Sequence, residues 1–160
     1  MSTAKTAQVI HAPNTLKMKV GGGRLSLDSD AIARAEAALK SLSGQFSQWL
    51  DDELEKLEAA RADVRAKGMT SETAEVLYMR AHDLKGLGTT YEFPLVTRIA
   101  ASLCKLIDNP ETRVAAPLQL VDAHIDAIKA VVRDSIKTDA HPVGKILAEE
   151  LESKTRAFLK

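Results

Sequence analysis

Apolar side chains alternate with polar ones near the start of the chain and recur every third or fourth residue from Asp28 onward. In the first 27 residues, Leu16, Met18 and Val20 alternate through TLKMKV. Three glycines follow, and RLSL alternates again at Leu25 and Leu27. This period of two predicts a small hairpin or an extended, flexible arm. A lone two-stranded hairpin is marginal in water, so a hairpin there needs a body to pack on.

From Asp28, with Asp28, Ser29 and Asp30 as capping candidates, the period becomes helical. Leu39, Leu42, Phe46, Trp49, Leu50, Leu57 and Val64 form the first stripe, which ends at Lys67-Gly68. It reads as one long helix or as two that break near Ser43-Gly44. Thr70 or Ser71 caps the next segment, with Glu72 and Glu75 in its first turns; Leu77, Ala81 and Leu84 carry it to about Tyr91. Pro94 opens a third, striped by Val96, Ile99, Leu103, Leu106 and Ile107 and stopped by Asp108-Asn109-Pro110. The fourth, from about 114–117, shows the cleanest period: Leu118, Val121, Ile125, Ile128, Val132 and Ile136. After His141-Pro142 a last helix uses Val143, Leu147, Leu151 and Phe158. Broad one-sided stripes joined by short connections bury against one another, so the expected fold is all-α, an antiparallel helical bundle over 28–160 behind an arm at 1–27.

Composition sharpens this. The chain has 160 residues, enough for one domain with a real core. Aromatic residues are only 4% of it, in keeping with an Ala- and Leu-rich helical protein. Its 22 basic and 22 acidic residues cancel, which argues against a general binder of nucleic acid or anionic membrane. The arm holds four bases (Lys5, Lys17, Lys19, Arg24) and no acid, leaving eighteen bases against 22 acids in the rest. Cys104 is the single cysteine, so no intramolecular disulfide can form. With no apolar run of membrane-spanning length and no apolar signal core at the start, the expected location is the cytoplasm.

The candidate chemistry lies in Ala81-His82-Asp83-Leu84-Lys85-Gly86-Leu87-Gly88. Glycine inside a helix costs about 1 kcal/mol relative to alanine, so two of them beside a histidine need a reason. At about 100° per residue, Leu77, Leu84, Leu87 and Tyr91 fall opposite His82 and are core candidates. Tyr78, Lys85 and Thr89 share its side, and Met79 and Gly86 flank it. Arg80 turns towards the core and has to snorkel. His82 is therefore expected to face solvent from mid-helix. Neutral imidazole is nucleophilic, Lys85 can bond an anion carried on the ring, and Gly86 leaves space for it. Histidine, lysine and an open space suit a transferable phosphoryl group.

These residues resemble the H-x-x-K-G signature of histidine-containing phosphotransfer (HPt) domains of two-component phosphorelays. The segment YMRAHDLKGLGTTYEFPLVTRIAASLCKLID is similar in layout to that family's central helical hairpin, and the likeness spans about 40–137. It implies a four-helix bundle, with the arm and an extra C-terminal helix outside it. It implies that His82 is phosphorylated, that Lys85 stabilises the phosphoryl group, and that Gly86 makes room for it and for a docking partner. Tyr78, Met79 and Thr89 then belong to the partner surface. The partners implied are receiver domains of response regulators or hybrid sensor kinases. These supply the Mg²⁺, so the chain carries no cofactor or metal and has no autokinase activity. Two positions depart from the family pattern. Leu87 and Gly88 stand where small residues are usual, and Glu92-Phe93-Pro94 stands where many members have a glycine-containing turn.

Elsewhere the expectations are plainer. His124 sits beside the fourth stripe as a packing histidine, and Cys104 is a small buried hydrophobe. His11 and His141 have no evident partner. The glycines at 21–23 lack the Lys-Ser/Thr of a phosphate-binding loop, so nothing supports a kinase. Two other functions fit a helical bundle: an adaptor that binds a signalling partner without phosphoryl chemistry, and a dimeric phosphotransferase resembling sensor-kinase dimerisation helices. Helices that close on themselves favour a monomer.

Overall fold

The computed structural model describes residues 25–160, with side chains from Asp28. Every regular element among them is helical. They are α1 (Leu25–Lys67), α2 (Ser71–Leu87), α3 (Pro94–Leu106), α4 (Leu118–Arg133) and α5 (Pro142–Phe158), with a 3₁₀ turn at Arg113–Ala115. No helix among the described residues is long and apolar enough to cross a membrane. The chain divides into two compact units, Met1–Ser41 and Leu42–Lys160.

In the first unit the described part is the opening of α1, whose side chains from Asp28 to Ser41 are all exposed. The helix begins at Leu25, so the second arm of the expected hairpin is helical at 25–27. The rest of that hairpin lies outside the described residues. α1 also runs unbroken through Ser43-Gly44. A Cβ on Gly44 would meet nothing within 4 Å, and one exposed glycine costs too little to end a helix of 43 residues. Gly68 ends it, with φ +83°, donating its amide to Val64 O at 2.8 Å.

In the second unit α3 lies at the centre, packed against α2, α4 and α5, while α4 and α5 also touch. Leu50, Leu57, Ala60 and Val64 of α1 join one core with Leu77, Ala81 and Leu84 of α2. Leu95, Val96, Ile99 and Leu103 of α3, Val121, Ile125, Ile128 and Val131 of α4, and Ala148 and Leu151 of α5 complete it. Ion pairs add to the α1–α4 seam. Arg61 donates to Glu58 and Asp126, both at 2.6 Å, and Lys129 reaches Glu58 at 3.0 Å. Arg98 of α3 makes a two-pronged bond to Glu152 of α5 at 2.7 and 2.9 Å.

Several stripe positions fall outside the core. Leu39, Leu42, Trp49, Leu118, Val143 and Phe158 are exposed, and Phe46 and Leu147 are half-buried. Regular helix in α2 stops at Leu87 rather than near Tyr91. One further turn follows, closed by Phe93 N–H on Gly88 O at 2.7 Å, with Glu92 at φ +67°. Ile136 lies beyond α4, because Ser135 at φ +54° turns the chain out of the helix.

Candidate functional site

α2 is the platform. Its start is fixed by a reciprocal cap: Thr73 N–H donates to Thr70 Oγ1 at 3.2 Å, and Thr70 N–H donates to Thr73 Oγ1 at 2.9 Å. Thr73 Oγ1 also donates to Gly68 O at 2.7 Å, joining the cap to the turn after α1. Ala74, Leu77, Ala81 and Leu84 are fully buried along one face. The opposite face carries His82 into solvent, as its phase requires. Arg80 is half-buried and ends 3.6 Å from Asp83, which is the snorkelled position.

Around His82 the expected neighbours separate into two groups. Tyr78, one turn earlier, sets its ring 6.0 Å from the imidazole at an interplanar angle of 42°. Lys85 and Gly86 are exposed on the following turn, and Lys85 makes no ion pair among the described residues. A Cβ on Gly86 would meet nothing within 4 Å, so this glycine has no packing role among the described residues. Met79 is half exposed at 50%. Thr89 lies past the helix end, where its amide and hydroxyl both donate to Thr97 Oγ1 at 2.8 and 3.1 Å. It braces the α2–α3 turn and remains exposed there.

The second glycine has a different cause. A Cβ on Gly88 would lie 2.5 Å from Thr97 Oγ1, 2.7 Å from Thr97 N and 3.0 Å from Phe93 O. Gly88 is required by the close approach of the two helices, whereas Gly86 is surrounded by open space.

Two residues that the sequence did not single out hold Tyr78. Its hydroxyl donates to Asp108 Oδ1 at 3.0 Å, and the Arg113 guanidinium lies 5.0 Å from its ring centroid. The bond to Asp108 pushes the phenol above its ordinary range, with burial a smaller cause. Both partners come from beyond α3, at a sequence separation that local periodicity cannot report. Cys104 of α3 is buried, which pushes its thiol up to about 11 against a small opposing effect of the Lys85 charge. It is the inert hydrophobe expected of it.

Surface hollows are lined by Trp49, Asp52, Glu53, Lys56 and Tyr91, and by Arg98, Ser102, Lys105, Glu152 and Thr155 among others; neither set includes His82. A nucleophile on an exposed helix face is suited to chemistry with a macromolecule that brings its own pocket. Among the described residues no group of three or more His, Cys, Asp or Glu side chains could hold a metal ion. No protein-family model, curated protein or solved structure matches the chain.

Proposed function

We propose that the chain is a phosphorelay carrier of the HPt type, accepting a phosphoryl group on His82 from the aspartate of one receiver domain and passing it to another. The observation that carries this is an exposed histidine beside a helical glycine with no packing role among the described residues. Gly86 makes the helix less stable and fills no tight spot. Its use is therefore towards something that approaches from outside. Lys85, exposed and in no ion pair among the described residues, is the cation for an incoming phosphoryl group.

In the forward step the lone pair of a ring nitrogen forms the N–P bond while the aspartyl P–O bond breaks, and aspartate leaves as carboxylate. The ring sheds its excess charge by losing the proton on its other nitrogen. The reverse step on a second receiver restores the imidazole. Receiver domains supply the acidic pocket and Mg²⁺, and this chain needs neither a nucleotide nor autokinase activity. The same proposal takes α1 to α4 as the four-helix bundle of the family, α5 as an added helix, and the protein as a cytoplasmic monomer.

The test is to mix the protein with a phosphorylated receiver domain and Mg²⁺, with His82→Gln alongside. An acid-labile, alkali-stable phosphoryl group on the wild type alone is the expected result. A folded wild type that takes no label from several receivers, yet binds them, would make it an adaptor. Lys85→Ala should slow transfer or shorten the adduct's lifetime, as read from the loss of label with time.

A further inference from the structure

We infer that Tyr78, held by Asp108 and Arg113, is a positioning residue for His82: the clamp fixes the phenol ring beside the imidazole and so sets how the ring nitrogens face the surface. The consequence for transfer rate rests on the phosphotransfer reading; the orientation of His82 does not.

The His82 side chain makes no hydrogen bond among the described residues, and its ring contact is with Tyr78 at 6.0 Å. An imidazole on an exposed helix turns among its rotamers unless something stops it. The adjacent ring can do so only if it is itself held, and two contacts from one distant segment hold it. Asp108, just past α3, accepts the Tyr78 hydroxyl at 3.0 Å. Asn109 then shapes the return. Its side-chain oxygen accepts Glu111 N–H at 2.9 Å, and its carbonyl accepts the amides of Thr112 and Arg113 at 3.1 and 2.8 Å. That turn brings Arg113 over the Tyr78 ring, at 5.0 Å from its centroid.

Arg113 is the costly part of this device. It is only 7% exposed, and no carboxylate lies within ion-pair distance of it among the described residues. One Nη donates to Asp108 O at 2.9 Å, and its Nε has no partner. Burying a guanidinium without a counter-charge is unfavourable. Its guanidinium lies over the face of Tyr78, a cation–π arrangement that strengthens when desolvated. A buried cation, a loop and a carboxylate thus converge on one half-buried tyrosine, whose ring centroid lies 6.0 Å from that of His82.

The experiment uses Tyr78→Ala, Tyr78→Phe and Arg113→Met in the full chain, with two readouts. Ring ¹H–¹⁵N spectra report the tautomers and environment of His82 in the unmodified protein. Phosphoramidate, a small donor with no docking face, reports its reactivity. In that reaction the ring nitrogen forms the N–P bond as the donor's P–N bond breaks and ammonia departs. Tyr78→Ala is expected to shift the His82 ring signals and to slow labelling on the order of tenfold, in kcat rather than KM. Tyr78→Phe keeps the ring and the Arg113 contact but loses the Asp108 bond, so it and Arg113→Met should both fall between Tyr78→Ala and the wild type. Unmoved ring signals with unchanged labelling, and a raised KM for the receiver alone, would reduce Tyr78 to a docking contact and overturn the proposal. If phosphoramidate fails to label even the wild type, labelling from the phosphorylated receiver replaces it as the rate readout, while the ring spectra still decide the positioning. Should Tyr78→Ala unfold, the Phe and Met variants carry the same comparison.

Discussion

Gly86 and Gly88 are two residues apart, lie on opposite sides of α2, one exposed and one buried, and have opposite consequences. Replacing Gly86 by alanine adds a Cβ into open space in a helical backbone, which should stabilise the fold by about 0.5–1 kcal/mol. A bulky residue there should leave helix content unchanged and impair phosphoryl transfer. Replacing Gly88 by alanine drives a Cβ against Thr97 and the Phe93 carbonyl, at 2.5–3.0 Å. The turn must open, at a cost of about 1–3 kcal/mol. Denaturant midpoints of the two alanine variants should therefore move in opposite directions, and a Gly86 variant that loses stability would remove the case for an outward-facing role. From the sequence both glycines looked alike, because the distinction depends on Thr97, nine residues further on. The phase of His82, by contrast, was readable at once, since Leu77, Ala81 and Leu84 fix which side of α2 is buried.

At the scale of elements, the sequence read the helices of the second unit well wherever apolar periodicity coincided with a strong stop. Pro94, Pro142 and Gly68 are such signals, and the elements begin or end beside them. It read less where the backbone itself decides. Glu92 and Ser135 adopt left-handed φ values that glycine or asparagine would have advertised, so the ends of α2 and α4 were placed too late. The clamp on Tyr78 was illegible for another reason: Asp108 and Arg113 meet it only after α3 has turned the chain back. α1 shows the limit of periodicity taken alone. Leu39, Leu42 and Trp49 repeat at helical spacing, yet all three are exposed, and from Asp28 on the first buried residue of the helix is Leu50. An isolated helix without a buried face is marginal in water. Amides over 28–45 should accordingly exchange much faster than those over 50–64. Hydrogen exchange read by mass spectrometry resolves the two halves, and equal protection would mean that something covers the first.

For the whole molecule, the interior joint of α3, α4 and α5 sets a pH limit on stability. His124 of α4 is fully buried. Its Nδ1 lies 2.7 Å from Leu120 O, and its Nε2 lies 2.9 Å from Ser102 Oγ of α3 and 3.4 Å from Thr155 Oγ1 of α5. With Nδ1–H donated to the carbonyl, Nε2 is the acceptor for the hydroxyls, so the network is satisfied by a neutral ring. Burial lowers the histidine's pKa from 6.5, outweighing the backbone bond, which acts the other way. The unfolded chain therefore takes up a proton that the folded chain resists. Stability is fully present above pH 6.5 and declines as pH falls from there towards the folded pKa. The slope from one proton approaches about 1.4 kcal/mol per pH unit. His82 and His141 are exposed, and replacing buried His124 is the change that should remove this slope. Denaturant melts of the wild type, His124→Gln and His82→Gln at pH 5.5 and 7.5 make the comparison. His124→Gln should be less stable at pH 7.5 and show a smaller difference between the two pH values. An undiminished difference would overturn this assignment, because Glu58 and Glu152, whose carboxyls are held below 4.5 by the Arg61 and Arg98 bonds, contribute no slope between these two pH values.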